Sequence, residues 1–361
     1  AIRVLNGEEI GDIPTRFSKR FLEQVPPAKL KAAIADLRER VFKNQPVRPV
    51  ELDGTSTDHT LSAFVVGGRR KMSAFVAVDD ASGRIQGYAL AGFAPTPELD
   101  ALSFAEGVIC SVAVRPEDRR KGVGRGLVQR CEEYLIHRGA RTLRAGPVWP
   151  QCPFGFGIYG GTNCPGFLAS DVDAAPFFTA LGYAPANQTL VFQRKLDQPL
   201  TVADNRFGML RRRYETQVLR AAAVSSWWHD AVWGTLEPVE FRLVDKLANN
   251  FPAARATVWE LEGYGWRWGT PSAGVIDVQV RPDLRRQGMA KLLLSQVFRF
   301  LQDQFFGVCE FHAAADRPDL VGLARGATME QVDVGTSYLK PVPESAQVPL
   351  TRPTGLTPTG T

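Results

Sequence analysis

Two segments of the chain share one pattern of hydrophobic and polar positions. In the first, residues 108–135, an apolar run rich in β-branched residues is followed by a basic, glycine-rich segment and then by apolar residues at helical spacing. The pattern predicts a buried strand that ends at Pro116, a tight turn and an amphipathic helix. The apolar face of this helix consists of Val123, Leu127, Val128, Cys131 and Leu135.

The same pattern returns later in the chain at a constant offset. The offset from Val114 to Val280 is the same as the offset from Gly122 to Gly288. A chain of 361 residues is also long for a single core. The repeat therefore predicts two copies of one domain, residues 1–196 and 197–345, followed by a Pro/Thr-rich tail over 346–361. The second helix repeats the apolar face with Met289, Leu293, Leu294, Val297 and Leu301.

The remaining pattern supplies the other elements of each copy. The first copy is predicted to contain a helix over 27–42, a loop over 45–60, a strand hairpin over 74–93, a helix over 174–181, and strands over 141–148 and 189–196. The second is predicted to contain helical material around 211–213 and strands over 239–247, 257–262, 275–280 and 308–312. Segment 149–171, crowded with Gly, Pro and aromatic residues, breaks the periodicity. A loop of this length inside a compact domain is usually functional.

Composition narrows the class of protein. The chain is 44% apolar and 22% charged, which is ordinary for a globular protein. Its net charge of +5 is too mild to require a nucleic-acid partner. No apolar run approaches the roughly 20 residues of a membrane helix, and the first residues lack a signal-peptide pattern. We therefore expect a cytoplasmic protein that binds neither membrane nor nucleic acid.

Cysteines and histidines give no sign of a metal site. The four histidines and five cysteines show no spacing typical of zinc ligands, so no metal is expected. Cys110, Cys131 and Cys309 lie in apolar segments and are predicted to be small buried hydrophobic residues. Tryptophans 227, 228, 233, 266 and 268 are predicted to belong to the core or to a domain interface.

The glycine-rich turn carries a family resemblance. Its motif residues follow a strand and open a helix; they are Arg119, Gly122 and Gly124 in the first copy and Arg285, Gly288 and Ala290 in the second. This arrangement resembles the acetyl-CoA motif of the GNAT N-acetyltransferase superfamily. Segment 177–183 is similar to the helix-plus-Gly-aromatic signature of the same family. The resemblance covers about residues 20–340 of the chain.

The resemblance implies an α+β (mixed α/β) fold with two tandem GNAT domains, each a central mixed β-sheet flanked by helices. In architecture alone, the duplicated layout is similar to that of mycothiol synthase-like tandem proteins. The implied activity is acetyl transfer from acetyl-CoA to an amine of a small molecule, by direct attack in a ternary complex. The oligomeric state, including a homodimer, is left open.

Physical chemistry identifies the residues that would hold coenzyme A. A pyrophosphate needs convergent N–H donors and positive charge, which the start of a basic helix supplies, and glycine lets the backbone approach. Pantetheine amides would pair with the strand, and the resemblance implies that a main-chain N–H near Val112 faces the thioester. The expected residues are Val112, Ala113, Val114, Arg119, Arg120, Lys121, Gly122, Val123, Gly124 and Arg125. Their counterparts are Val278, Val280, Arg285, Arg286, Gln287, Gly288, Met289 and Ala290.

The general acid is harder to assign than the cofactor site. Many GNAT enzymes carry a tyrosine on the late helix, but the matching positions here are Phe178 and Gly322, neither of which can donate a proton. Tyr159 and Tyr183 are the substitutes in the first copy. We favour Tyr159 because it lies in the aromatic loop, where a packing role is an equal alternative.

Three carboxylates are candidates for the general base. Many family members have a glutamate at the position of Val108, and Glu106 lies two residues earlier, on the same face of an extended strand. Asp171, which ends the long loop, is the second candidate, although it could equally be a helix N-cap. Asp277, at the strand position equivalent to Ser111, is the base candidate in the second copy, where a buried carboxylate would need a partner.

Three functional hypotheses follow. The first is an acetyltransferase whose first copy is catalytic, with loop 149–171 shaping the acceptor pocket and the second copy either binding another acyl-CoA or serving as a structural half. The second hypothesis makes the second copy catalytic, or the acceptor a protein amine. The third is an acyl-CoA sensor without catalysis, which the absence of the late-helix tyrosine from both copies favours.

Overall fold

A computed structural model of the chain describes residues 48–51, 59–66, 70–79, 82–153, 162–199, 202–220, 226–233, 238–248 and 251–346. The helix predicted over 27–42 and the candidate Tyr159 lie outside the described residues. The described strands are β1 (Arg48–Glu51), β2 (His59–Val66), β3 (Arg70–Val78), β4 (Ile85–Pro95), β5 (Leu102–Val114), β6 (Thr142–Ala145), β7 (Phe167–Leu168), β8 (Ala184–Lys195), β9 (Tyr214–Arg220), β10 (Val239–Asp245), β11 (Phe251–Glu260), β12 (Ser272–Val280), β13 (Val308–Ala314) and β14 (Glu330–Pro341).

The helices alternate with these strands, and the mixed α/β fold class is confirmed. The described α-helices are α1 (Val123–His137), α2 (Ala174–Ala180), α3 (Phe207–Arg213), α4 (Trp227–Trp233), α5 (Glu262–Trp268), α6 (Met289–Asp303) and α7 (Pro318–Gly326). Three short 3-10 turns cover Pro116–Asp118, Pro282–Leu284 and Glu344–Ala346.

The chain forms two compact units, and the border between them runs through β4, β5 and α1. Among the described residues, the first unit contains those up to Gly92, together with 111–133 and Trp233. The second contains 93–110, 134–232 and the described residues from 238 onward. This grouping by contacts does not follow the predicted division into copies. The copies 1–196 and 197–345 therefore stay a prediction.

In the first unit, strands β1 to β4 form an antiparallel series in chain order. The predicted hairpin is confirmed as β3 and β4. The loop predicted over 45–60 is wrong at 48–51, which form β1. Because β1 pairs with β2 at the end of the strand order, Pro49 can lie in it without costing a hydrogen bond to a second neighbour.

The second unit contains a mixed sheet in which the two copies exchange their final strands. Its order is β5, β6, β14, β8, β13, β12, β11, β10 and β9. Only β5–β6 and β12–β13 are parallel pairs; the other pairs are antiparallel. Strand β8, which ends the first copy, pairs with β13 of the second. Strand β14, which ends the second copy, pairs with β6 of the first and with β8.

Strand β14 was absent from the sequence prediction. The first half of the strand is largely exposed, and polar residues interrupt its apolar alternation, so the period-2 signal is weak. Its second half carries the buried Tyr338 and Ser337. The strand is specified mainly by its partners in the other copy, which a local pattern cannot reveal.

The hydrophobic core of the second unit lies between β10–β13 and helices α3, α6 and α7. The predicted apolar face of α6 is confirmed, since all five of its residues are at most 2% exposed. In α1, Leu127, Val128, Cys131 and Leu135 are fully buried as predicted. The buried faces of these two helices anchor the strand–turn–helix segments on which the predicted binding sites depend.

The strand exchange predicts that neither copy folds alone. If the chain is cut after Leu196, β8 loses both neighbouring strands and β6 loses β14. We expect residues 1–196 and 197–361, expressed separately, to aggregate or lack a cooperative unfolding transition, and co-expression of both pieces to restore a folded complex. Size-exclusion chromatography and near-UV circular dichroism measure this. A soluble, cooperatively folded 1–196 fragment would contradict it.

Candidate functional site

The glycine turn has the same backbone conformation in both copies. The φ angles of Arg120 and Gly122 are 59° and 88°, and those of Arg286 and Gly288 are 60° and 87°. Left-handed arginines are uncommon, so their recurrence at a fixed offset indicates that both turns have one functional geometry. A Cβ at Gly122 would meet no atom within 4 Å, which leaves the concave side of this turn open.

An arginine fixes the start of each turn in the same way. Arg119 Nε donates to the carbonyl of Val114 at 3.2 Å, and Arg285 Nε donates to that of Val280 at 3.2 Å. Helices α1 and α6 follow, with their first N–H groups at the turn. Backbone donors and basic side chains therefore converge at both helix starts, as an anionic diphosphate requires.

The strand before each turn parts from its parallel neighbour at equivalent positions. Pairing of β5 with β6 runs as far as Ile109 opposite Ala145, although β5 continues to Val114. Pairing of β12 with β13 runs as far as Val275 opposite Phe311, although β12 continues to Val280. Both end points have the same offset between the copies as the turns themselves. Within the described residues of the second copy, this leaves one edge of β12 available to an extended ligand.

The two turns are stabilised by different side chains. In the first copy, Asp118 is 2% exposed and lies 2.8 Å from Arg84 and 3.5 Å from Lys121. The equivalent position in the second copy is Leu284, which is buried in the core. The turns thus share a backbone but not the polar contacts that support it.

In the second copy a preceding segment supports the turn. Arg206 packs against Gly288, where a Cβ would lie 3.4 Å from its guanidinium, and its Nη1 donates to the carbonyl of Arg286 at 3.0 Å. Asp204 accepts from Arg206 at 2.8 Å through each carboxylate oxygen, and these hydrogen bonds lower the pKa of Asp204. Lys291 donates to the carbonyl of Ala203 at 2.8 Å. Arg206 could not be identified from the sequence because its partner lies far along the chain, beyond the reach of a local pattern.

A β-bulge interrupts β12 at Asp277. Its register with β11 shifts between Arg255 and Thr257, and Asp277 has a φ of 53°. Asp277 and Val278 together oppose Ala256 of β11, so the regular ladder is interrupted at these two residues. The side chain of Asp277 is 34% exposed, and Arg255 lies 3.1 Å from its carboxylate.

The side chains of the predicted cofactor residues differ in exposure. Arg119, Arg120, Lys121 and Arg125 are exposed around the first turn. In the second copy the Met289 side chain is 1% exposed and belongs to the core. Only its backbone could therefore contact a ligand.

The long loop of the first copy packs on strands of the second. Thr162, which is fully buried, accepts a hydrogen bond from Trp259 Nε1 at 3.2 Å through its carbonyl. A Cβ at Gly274 would lie 2.7 Å from Thr162 Oγ1, so glycine is needed there for this approach. The described end of loop 149–171 is therefore part of the second copy's surroundings, which the sequence did not predict.

A buried carboxylate fixes this loop. Glu310 is 3% exposed, and its Oε1 accepts from the N–H and the hydroxyl of Thr162 at 3.1 and 2.9 Å. Gln193 donates to Oε2 at 2.8 Å, and His312 Nε2 lies 2.9 Å from Oε1. Burial alone would raise the pKa of Glu310, but these hydrogen bonds outweigh it and lower the pKa to about 2. The carboxylate is therefore ionised and fully engaged, which suits an anchor better than a base.

Comparison with known proteins agrees with this geometry. Residues 36–148 match the model of the acetyltransferase (GNAT) family. A tandem GNAT protein from the clavulanic acid biosynthesis pathway has a similar structure, with 15% identity, coverage of 75% of this chain and 82% of that chain, and a TM-score of 0.57.

Residues 36–148 are thus the part of this chain that matches the GNAT family, and the fold of the chain is similar to that of a tandem GNAT protein.

Two further solved structures are similar to this chain. One is a GCN5-related glucosamine N-acetyltransferase region of a fungal multi-domain GH3 β-N-acetylglucosaminidase. The match has 15% sequence identity and a TM-score of 0.53, and it covers 75% of this chain and 33% of that chain. The other is a GCN5-related N-acetyltransferase from Sphaerobacter thermophilus. The match has 18% sequence identity and a TM-score of 0.49, and it covers 74% of this chain and 80% of that chain. No curated protein sequence matches the chain significantly.

Of the GNAT base candidates in the first copy, Glu106 has the more constrained surroundings. Strand β5 does extend to Glu106, whose Oε1 accepts from Arg144 Nε at 2.6 Å. Arg144 is 8% exposed and also donates to Asn187 at 2.9 Å and to Ser337 at 3.1 Å. Residues of both exchanged strands thus position the guanidinium that engages Glu106.

Asp171 is exposed and does not cap helix α2. The residue before the helix is Asp173, whose side chain makes no capping hydrogen bond, so the N-cap alternative for Asp171 is wrong. Asp171 Oδ1 instead accepts from the N–H of Asp173 at 3.3 Å.

Neither late-helix position supplies a proton donor. Phe178 is 2% exposed and stacks on Phe167 and Tyr338 at centroid distances of 4.6 and 5.8 Å. Tyr183 is also 2% exposed and packs edge-on against Phe178. Gly322 lies in helix α7 and leaves open space at its Cβ position.

His229, on helix α4, is not among the residues predicted from the sequence. Its ring packs on Trp149 at a centroid distance of 4.6 Å, and its Nδ1 lies 2.6 Å from Ser226 Oγ. Trp228 is buried as predicted, and its Nε1 donates to the carbonyl of Pro150 at 2.8 Å. No pattern in the sequence could pair these residues, because several strands and helices separate the two groups along the chain.

The described residues show no features of other site types. They contain no cluster of His, Cys, Asp and Glu that could hold a metal ion. None of the described helices is long and apolar enough to span a membrane. All five cysteines are buried free thiols, which confirms the prediction for Cys110, Cys131 and Cys309.

The Glu310 anchor can be tested by replacement with glutamine. Glu310→Gln should lower the free energy of unfolding at pH 7 by about 2–4 kcal/mol, because buried donors lose a charged acceptor. Glu310, with a folded pKa of about 2 against 4.5 ordinarily, stabilises the wild type fully above pH 4.5 and loses this effect as the pH falls toward 2. The difference between the two proteins should therefore narrow in acid.

Urea unfolding between pH 7 and pH 3 measures this difference. Glu98→Gln is the matched control, because Glu98 is exposed, and it should change the stability by less than about 0.5 kcal/mol. A difference between Glu310→Gln and wild type that stays constant across this pH range would contradict an ionised anchor.

Proposed function

We propose that the protein is an acetyl-CoA-dependent N-acetyltransferase that transfers the acetyl group to an amine of a small molecule. The match of residues 36–148 to the GNAT family implies acyl-CoA-dependent acetyl transfer. The observation that carries the proposal is the recurrence of one turn conformation, at Gly122 and Gly288, after a strand that parts from its parallel neighbour.

Each turn offers the chemistry that coenzyme A requires. Backbone N–H groups of 120–125 and of 286–290 would bind the pyrophosphate, with the adjacent arginines supplying positive charge. Arg206 adds a guanidinium beside the second turn. The unpaired edge of β12 would bind the pantetheine amides as an added strand does. The bound thioester supplies an acetyl group that is already activated for attack by an amine.

For the transfer step, the geometry favours the second copy, the alternative weighed beside the first. The β-bulge at Asp277 supports a role for the N–H of Val278 in stabilising the oxyanion. Loop 149–171, expected to shape the first copy's acceptor pocket, contacts Trp259 and Glu310 of the second copy. A loop that packs against these strands favours a small-molecule acceptor over a protein surface.

A transfer step in the first copy remains the alternative. It would use Glu106 as base, with Tyr159 as acid and Asp171 as a second base candidate. The Arg144 contact favours Glu106 over Asp171, because a catalytic carboxylate needs a fixed orientation. In this arrangement the second copy would bind another acyl-CoA or serve as a structural half.

An acyl-CoA sensor is the candidate from another functional class. It is favoured by the residues at the two late-helix positions, the buried Phe178 and Gly322, which cannot protonate a leaving thiolate. A sensor would bind acetyl-CoA at one or both turns without turnover.

Substitution of the turn glycines tests these proposals. Valine at Gly122 or Gly288 would be strained at a φ near 88°, and at Gly288 it would also crowd the Arg206 guanidinium. We expect the wild type to bind two equivalents of acetyl-CoA by calorimetry and each variant to bind one. The rate of acetyl transfer to a panel of amines should fall at least about tenfold in Gly288→Val and stay unchanged in Gly122→Val.

A matched control separates backbone strain from ligand binding. Gly269→Val introduces valine at a φ angle of 69° with open space around the Cβ, away from either turn. This variant should bind like wild type. Absence of any acetyl-CoA binding by the wild type would refute the proposal, binding without turnover would support the sensor, and full activity of Gly288→Val would assign catalysis to the first copy.

A further inference from the structure

We propose that His312, on strand β13, is the proton acceptor for acetyl transfer in the second copy. The inference rests on the proposed function, since it names the base that takes a proton from the acceptor ammonium. It stands on two observations: the hydrogen bond between the His312 ring and Glu310, and the position of His312 where β12 and β13 part.

His312 lies at the point where the two parallel strands separate. Their last pair joins Val275 to Phe311, and His312 is the next residue of β13. One edge of His312 pairs with β8, so its other edge faces the opening. In the same register His312 would lie opposite Ile276, the residue before the bulge at Asp277. His312 therefore borders the inner end of the free edge of β12.

The proposed binding mode brings the thioester to this place. The pyrophosphate would bind at the turn after Val280, and the pantetheine arm would run back along the free edge of β12 toward the last strand pair. From Val280 to Ile276 the strand spans about 13 Å. The thioester is at the end of the arm away from the pyrophosphate, so it would lie near Ile276 and Asp277, beside His312.

The His312 side chain lies on the face of the sheet that contacts loop 149–171. The residues of β13 that belong to the core with helix α6 are Cys309, Phe311 and Ala313. Because side chains alternate along a strand, Glu310 and His312 lie on the opposite face. Thr162 of the loop donates to Glu310 on that face. The imidazole is thus on the side where the loop would border an acceptor.

Hydrogen bonds determine the tautomer of the His312 ring. Thr162 donates to Glu310 Oε1 through its N–H and its hydroxyl, and Gln193 Nε2 donates to Oε2 at 2.8 Å. Both carboxylate oxygens are therefore acceptors. Burial raises the pKa of Glu310, but its hydrogen bonds lower it to about 2. An ionised carboxylate can only accept, so His312 Nε2, 2.9 Å from Oε1, carries the proton and Nδ1 has the lone pair.

Nδ1 of His312 has no hydrogen-bond partner among the described residues. The His312 side chain is 6% exposed, and a buried acceptor without a partner is costly. Beside the opening between two strands, such an atom indicates a ligand that donates to it, and an ammonium is a donor of this kind. Exclusion of water from the ring also favours a proton from the bound amine over one from solvent.

The step balances without a further reactant. Nδ1 takes one proton from the acceptor R–NH3+, and the freed lone pair on nitrogen forms the C–N bond to the thioester carbonyl. The imidazolium keeps its Nε2–H on Glu310, whose negative charge stabilises it. The oxyanion then collapses, the C–S bond breaks, and the thiolate leaves with the sulfur electron pair. The nitrogen gives its second proton to the thiolate, and His312 releases its proton to solvent.

Kinetics of a glutamine variant test this role. His312→Gln keeps a side-chain N–H that can donate to Glu310 but removes the basic nitrogen. It should lower kcat about 100-fold and leave the KM for acetyl-CoA unchanged, because the base does not bind the cofactor. His137→Gln, at the exposed end of α1, is the matched control and should keep the wild-type kcat.

Two outcomes separate this inference from the proposed function. A wild-type kcat in His312→Gln would overturn the inference and leave the acetyltransferase proposal intact. A wild type that binds acetyl-CoA but acetylates no amine would refute both.

Nitrogen NMR of the imidazole tests the tautomer in the wild type, whether or not the variant folds. The chain has four histidines, so substitution of the other three in turn assigns the His312 resonances. The nitrogen chemical shifts at pH 7 should show a protonated Nε2 and an unprotonated Nδ1. A proton on Nδ1 in the free protein would overturn the inference, because that nitrogen could not accept another.

Discussion

The described structure depends on one constraint: neither copy completes its sheet without the other. Strand β8 lies between β13 and β14, and β14 lies between β6 and β8, so the centre of the sheet is built from alternate copies. Every backbone donor and acceptor of these strands needs a partner once buried, and the partner belongs to the other half. The two glycine turns are therefore not independent modules joined by a linker. Their strands, β5 and β12, pair with β6 and β13, each of which is hydrogen-bonded to the final strand of the opposite copy.

Two equivalent positions in the copies have side chains of opposite charge, an arginine in the first copy and a glutamate in the second. Arg144 and Glu310 have the same offset as the two turns, each is nearly buried, and each is the centre of a polar network that reaches into the exchanged strands. The arginine engages Glu106, whereas the glutamate engages Thr162 of the long loop. A buried charge is tolerated only when it is fully hydrogen-bonded. The arginine and the glutamate therefore need different hydrogen-bonding neighbours. This divergence supports unequal roles for the copies, with the loop committed to the surroundings of the second turn.

Local sequence signals predicted the glycine turns and the apolar helix faces, because these features depend on nearby residues. The turn needs glycine at a positive φ and an arginine shortly after the strand's last valine, and the helices need an apolar face; both signals lie within about 30 residues of sequence. Strand β14, the anchor at Glu310 and the contacts of Arg206 could not be predicted, because each depends on residues from 80 to 193 positions away. The bulge at Asp277 could not be predicted for a related reason. A bulge changes which face a side chain occupies, and alternation alone assumes a regular strand.

The duplicated fold places residues of one copy beside strands of the other. Thr162 of the first copy donates to Glu310 on β13, its carbonyl accepts from Trp259 on β11, and its side chain lies against Gly274 on β12. Trp149, from the same loop, packs on His229 of helix α4. The surroundings of β12 therefore include side chains that its own copy does not supply. The absence of a strand glutamate and a late-helix tyrosine is for this reason compatible with catalysis in the second copy, provided that the proton acceptor comes from another segment.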